Sequence, residues 1–189
     1  MQESVRKLIK YLSLGIVMIP LTIVSHELGH FLAYKLFGAT NVVLHSVSVS
    51  ADKDTLSSGP IAFASIIGPL ISYLTILAAI FFTRKSYVPL WIFVGLTPPI
   101  GRIVNFIYVY FRSLGYQPNP NFDEFNFARS LGVDPLPLAV ITCLIVIATF
   151  GFFLRKSWVE GRFREIAFLL FSIAIGLGVW SLVGQFILP

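Results

Sequence analysis

LIKYLSLGIVMIPLTIVSHELGHFLAYKLFG, residues 8–38, is the stretch whose reading decides the fold. Its first half is apolar for about the 20 residues that a helix needs to cross hydrocarbon, and it runs without a stop signal into His26, Glu27 and His30. Pro20 interrupts it, which a membrane helix tolerates as a kink, and Gly38 ends it. Val5 to Phe37 is therefore expected as one long helix. Arg6, Lys7 and Lys10 precede it as in a signal peptide, but no small-residue cleavage site follows, so the segment is expected to be retained.

The rest of the chain has the same character. Of its 189 residues 56% are hydrophobic and 12% charged, far from the balance of a soluble domain. Apolar runs near 8–25, 60–83, 87–111, 136–154 and 166–187 predict five spans. The expectation is an all-α, multi-pass integral membrane protein of the cell membrane, a single domain over 1–189 built as a bundle of about five transmembrane helices in the lipid bilayer. The net charge of +5 comes from basic residues scattered at the ends of apolar runs; they read as membrane flanks rather than a nucleic-acid site. A lone Cys143 excludes an internal disulfide and a thiolate metal cluster, so any metal must be held by His and carboxylate.

Three local features depart from plain spans. Val43, His45, Val47 and Val49 alternate with Leu44, Ser46, Ser48 and Ser50 at the period of two that marks a strand, so a short strand or hairpin is expected over residues 42–50 at the membrane surface. The third span is broken by Pro98, Pro99 and Gly101 and carries Arg102 and Asn105. The last carries Ser172, Ala174, Gly176, Gly178, Ser181 and Gly184, small residues that let membrane helices approach closely.

The central question is what His26, Glu27 and His30 do in such a run. Residues four apart share a helical face at about 6 Å along the axis, so both imidazoles can address one ion while Glu27 reaches a water beside it. Two His binding the metal and Glu acting as general base is the H-E-x-x-H arrangement of zinc hydrolases, and this composition produces it by chance on the order of once in a thousand. An ionisable group within a span costs about 2.5–3.5 kcal/mol. A divalent cation offsets that cost; so does a headgroup-level position, the plainer alternative.

A catalytic zinc takes three protein ligands and keeps one position open. Asp123, Glu124 and His45 are the candidates for the third, with Asp123 and Glu124 following the third span on the side of the HELGH end of the first. Acidic residues at the start of the DEFNFARSLG helix also serve as caps. Arg102 and Asn105, three apart on one expected helical face, could donate to a developing oxyanion or to Asp123; Arg102 could equally pair with an acidic neighbour.

SHELGHFLAYKLFG followed by a surface strand and IIGPLISYL resembles the site-2 protease family of intramembrane zinc metalloproteases, over roughly residues 20–135. The resemblance implies His26 and His30 as zinc ligands, Glu27 as catalytic base, Asp123 as third ligand, and a membrane-anchored protein as substrate. It also implies a metalloprotease-like core over about 5–135 with accessory helices over 136–189, in a compact and divergent member. Gly68 and Pro69 match the family's Gly-Pro motif and would shape the substrate cleft or pack the helix. Ser72 stands where the family commonly has Asn, and NPNFDEF stands for the longer pattern around the family's Asp.

If active, such a site uses zinc to lower the pKa of water towards about 7, with Glu27 taking the proton and returning it to the leaving amine. The substrate helix must unwind, and the strand could hold it by edge pairing. Two other functions compete: a protease-like scaffold or binding protein without catalysis, favoured by the altered Asp pattern, and a small transporter or metal-handling protein, suggested by Arg102 and the broken third span, against which no paired broken spans occur. With five single crossings, Lys and Arg number nine on the N-terminal side against four on the other, which places the N-terminus in the cytoplasm, whereas the resemblance places the site nearer the cytosol.

Overall fold

The computed structural model describes residues 2–85, 88–116 and 122–188. Along the chain these form α1 (Gln2–Leu36), β1 (Thr40–Leu44), β2 (Val49–Asp52), α2 (Ser58–Lys85), α3 (Pro89–Gly101), α4 (Ile103–Ser113), α5 (Asp123–Ser130), α6 (Leu136–Val159) and α7 (Phe163–Ile187). Five helical segments are long and apolar enough to cross a membrane, with α3 and α4 together making one of them. This is the architecture of a multi-pass membrane protein. Leu74, Leu77, Phe81, Leu144, Ile147 and Leu182 lie exposed on the outside of the bundle, an arrangement that suits lipid and would promote aggregation in water.

As expected, α1 continues through Pro20, and it stops at Gly38, whose φ of 81° is a left-handed conformation that closes a helix cheaply in glycine. The alternating stretch after it forms a hairpin, one of the two expected alternatives. β1 and β2 pair antiparallel with Leu44 opposite Val49 and Val43 opposite Ser50, and the His45 N–H donates to the Ser48 carbonyl to close the turn. An irregularity between Thr40 and Val43 accommodates Asn41 at φ 50°.

The third span breaks at Arg102. Pro98 and Pro99 supply no N–H to the helical ladder, and the chain tightens to i→i−3 bonds, Arg102 N–H to Pro99 and Asn105 N–H to Arg102. Arg102 therefore sits at the junction of two helices. Residues 119–121 of NPNFDEF lie outside the described residues.

The largest core joins Tyr11 and Ile19 of α1 to Ala79 of α2, Ile92, Phe93 and Leu96 of α3, Phe153 of α6, and Ile166, Leu169, Ile173 and Trp180 of α7. Its tightest contact is between α1 and α7. A Cβ at Gly176 would lie 2.7 Å from both the Gly15 carbonyl oxygen and Ile19 Cγ1, and one at Gly15 would strike the Ser172 carbonyl. The Ser172 hydroxyl donates to the Tyr11 carbonyl across the same seam. A smaller core of Ala33, Tyr34, Ala39, Val42 and Ala64 fixes the hairpin to α1 and α2. From the other side, Trp180 Nε1 donates to the Ser46 carbonyl at 2.9 Å, so the hairpin is held between two parts of the bundle.

Gly178, on the same helix, faces open space. Gly176→Leu is expected to lower unfolding stability by about 1–3 kcal/mol through overpacking, while Gly178→Leu leaves it unchanged or raises it; thermal unfolding of both variants in one detergent makes the comparison.

Candidate metal centre

The HELGH turn lies in the C-terminal part of α1, facing α2. Gly29 and Gly68 let the two helices approach. A Cβ at Gly29 would lie 2.6 Å from Ile71 Cδ1 and 3.5 Å from Gly68 Cα, and one at Gly68 would collide with the His30 imidazole. Ala64, Gly68 and Ser72, four residues apart along α2, form one stripe toward α1. His30 Nδ1 donates to the Ala64 carbonyl at 2.6 Å; His26 Nδ1 lies 2.9 Å from Ser72 Oγ. Each imidazole is thus held by its Nδ1, which leaves Nε2 to point outward.

Both Nε2 atoms point at the same place, and Asp123 at the start of α5 completes the group. His26 Nε2 and His30 Nε2 are 3.2 Å apart, His26 Nε2 is 3.0 Å from Asp123 Oδ2, and His30 Nε2 is 3.4 Å from Asp123 Oδ1. Ligands about 2.0–2.1 Å from a tetrahedral zinc are separated by roughly 3.3–3.4 Å, so the three groups fit the face of such a site. The donor chemistry agrees. With Nδ1 of His30 donating to a carbonyl, its Nε2 is left to meet a second imidazole nitrogen and a carboxylate. These residues could hold a metal ion.

Asp123 is ready for that role. Burial would raise its carboxyl, but hydrogen bonding to His26 and then His30, with the charges of His30 and Arg102, holds it well below the usual carboxylate range. Its neighbour Glu124 turns the other way. The Asp123 side chain is 28% exposed and that of Glu124 1%, so Glu124 is not brought to the metal position. It accepts from Arg102 at 3.0 Å and from the Tyr73 hydroxyl at 3.3 Å, and Tyr73 in turn lies 3.1 Å from Thr142 Oγ1. Burial pushes the Glu124 carboxyl up and the Arg102 guanidinium pulls against it. Arg102 also reaches Asp123 Oδ2 at 3.4 Å, so it pairs with acidic neighbours and braces the third ligand.

The remaining candidates fall in different places. Glu27 lines a cavity of about 340 Å³ together with His26, His30, Arg102 and Asp123, within the size range of small-molecule and substrate sites. The lining also includes Val47, Ser48, Val49 and Lys53 from the hairpin and the residue after it. Among the described residues no hydrogen bond ties Glu27 down, so its carboxylate is available to a water. His45 stays on the hairpin, 2.9 Å from Ser50 Oγ, away from the group. Asn105 is buried with neither amide atom partnered among the described residues, and it does not line the cavity. Pro69 is buried in α2 behind Gly68 and does not line it either.

Sequence reasoning marked Ser72 as a departure and did not see its contact with His26; it missed the Ala64 carbonyl, Tyr73 and Thr142 altogether. The signal for the first two was their position four residues either side of Gly68. Tyr73 and Thr142 carried no signal.

Comparison with protein-family models, curated proteins and solved structures finds no match, and the chemistry is derived from the atoms in place. Purified protein is expected to hold one divalent metal ion per chain by elemental analysis. His26→Ala or Asp123→Ala should abolish it, as should Gly68→Ala, whose Cβ would displace the His30 imidazole; Ser72→Ala and Glu124→Gln, which disturb only the support of the ligands, should weaken binding about 10–100-fold in chelator competition.

Proposed function

We propose that this chain is an intramembrane zinc metalloendopeptidase that hydrolyses peptide bonds of membrane-anchored proteins in the cell membrane. The observation that carries the reading is the convergence of His26, His30 and Asp123 on one point, beside an untethered Glu27 in the wall of a cavity. Two imidazoles and one carboxylate, with a second carboxylate free for proton transfer, is a set that hydrolytic zinc sites use. The resemblance of SHELGHFLAYKLFG and IIGPLISYL to the site-2 protease family supports the same assignment of roles.

Zinc held by His26, His30 and Asp123 would acidify water and polarise the peptide carbonyl. Glu27 receives the proton at its carboxylate as the water oxygen attacks the carbonyl carbon. The resulting carboxylic acid then protonates the departing nitrogen as the C–N bond breaks, and Glu27 returns to its starting state. Ser72 and the Ala64 carbonyl keep the two imidazoles oriented, and Arg102 keeps Asp123 in place against the cavity wall. The cavity needs an extended substrate, because a helical peptide bond is shielded by its own turns. The hairpin suits this: each strand of a two-stranded sheet keeps an unpaired edge, and Val47, Ser48 and Val49 border the cavity.

Glu27→Gln separates the roles. In reconstituted vesicles with single-span test proteins, the variant is expected to keep its zinc and to lose about 10²–10⁴-fold in cleavage rate relative to wild type. Zinc retained with no cleavage by either protein would turn the reading to a protease-like binding protein, and absence of zinc from both would end it.

A further inference from the structure

The ionisable groups lining the cavity are committed with one exception. His26, His30 and Asp123 converge on the metal position, Glu27 faces the cavity, and Arg102 is paired with two carboxylates. Lys53 is the exception. It lies just after β2 and lines the cavity, and no carboxylate among the described residues lies within ion-pair distance of it. Its sequence neighbour Asp52 is occupied by the Asn41 amide at 2.6 Å.

What Lys53 does have is a seat. Its ammonium lies 4.9 Å from the centroid of the Tyr34 ring, and Tyr34 is buried in the small core beneath the hairpin and lines the same cavity. The Lys53 carbonyl accepts from the Leu56 N–H at 2.9 Å, closing a turn that fixes the backbone there. A cation held over an aromatic face keeps its three N–H donors for an acceptor elsewhere. Lys53 so placed offers its ammonium to an anionic group that enters the cavity.

We propose that Lys53, seated on Tyr34, selects substrates bearing an aspartate or glutamate on the segment that lies along the hairpin. This rests on the protease reading above and adds to it the chemical class of the residue recognised.

Binding tests it without turnover. Zinc-loaded Glu27→Gln protein in phosphatidylcholine nanodiscs is titrated with two fluorescent peptides that differ by one Asp-to-Asn change. The aspartate peptide is expected to bind about tenfold more tightly, the value of a hydrogen bond to a charged group. Adding Lys53→Gln should erase the difference, and Lys53→Glu should reverse it in favour of a lysine-bearing peptide. Zinc content and thermal midpoint of each variant confirm that the site and fold persist.

Equal affinities, failure of both peptides to bind, or a preference unmoved by the Lys53 changes would overturn the proposal. So would a preference that vanishes when phosphatidylglycerol replaces phosphatidylcholine, an outcome that assigns Lys53 to an anionic lipid headgroup. A chain that binds selectively and never cuts would sink the hydrolase and leave this recognition standing; one that cuts without preference would do the converse.

Discussion

The imidazole of His30 occupies the space where a side chain at position 68 would begin, and the rest of the site follows from that contact. Because Gly68 has no Cβ, α1 and α2 come close enough for the Ala64 carbonyl to accept from one imidazole and for Ser72 to meet the other. Those two contacts hold the rings by Nδ1 and turn both Nε2 atoms to one point. Without them the HELGH turn would still be a pair of histidines on one helical face, but each ring would be free to rotate, and a metal would meet the entropy cost of fixing both. Ser72 is a short side chain, yet its Oγ lies 2.9 Å from His26 Nδ1. The close helix approach makes a short side chain sufficient.

Charge buried among these helices is tolerated because it is shared. Arg102 reaches Asp123 and Glu124, Glu124 also accepts from Tyr73, and Tyr73 meets Thr142. Each member is paired, which removes the large penalty of an isolated buried charge. The network also answers a local problem: α5 has eight residues, too few to be stable as a helix by itself. It is fixed by Phe125, packed against Tyr108 of α4 and Ala139 of α6, and by Glu124. Asp123 faces the imidazoles because the next residue is anchored in the opposite direction. The break at Arg102 serves the same end, since it frees that side chain to bridge the two acids.

How far the sequence could be read depended on whether a feature was local. The apolar runs were visible in composition, and the pairing of His26 with His30 was visible because both lie on one turn of one helix. Asp123 and Glu124 were harder to separate. Adjacent helical residues differ by about 100° in direction, and only packing decides which one faces inward. The alternation from Val43 to Ser50 suited one strand as well as two, because a period of two continues through a tight turn and does not record the reversal. Arg102 and Asn105, read together as donors, differ in the structure because Arg102 lines the cavity while Asn105 is buried outside its lining. The stripe of Ala64, Gly68 and Ser72 is periodic, but nothing in its residue types says that it faces histidines.

The last helix links the two ends of α1. Along its N-terminal half, α7 meets α1 at Ser172 and Gly176 with almost no space between backbones; further on, Trp180 donates to the Ser46 carbonyl in the hairpin turn. The hairpin is therefore supported on one side by the core that includes Tyr34 and on the other by a helix whose position is set one turn away, at the contact of Gly176 with α1. This matters for the cavity because Val47, Ser48 and Val49 form part of its wall and belong to a two-stranded sheet, which is marginal when isolated. A short sheet can give the cavity a defined edge only if something rigid holds it. The Gly15–Gly176 seam, distant in sequence from every candidate catalytic residue, contributes to the site by fixing the helix that holds the hairpin in place.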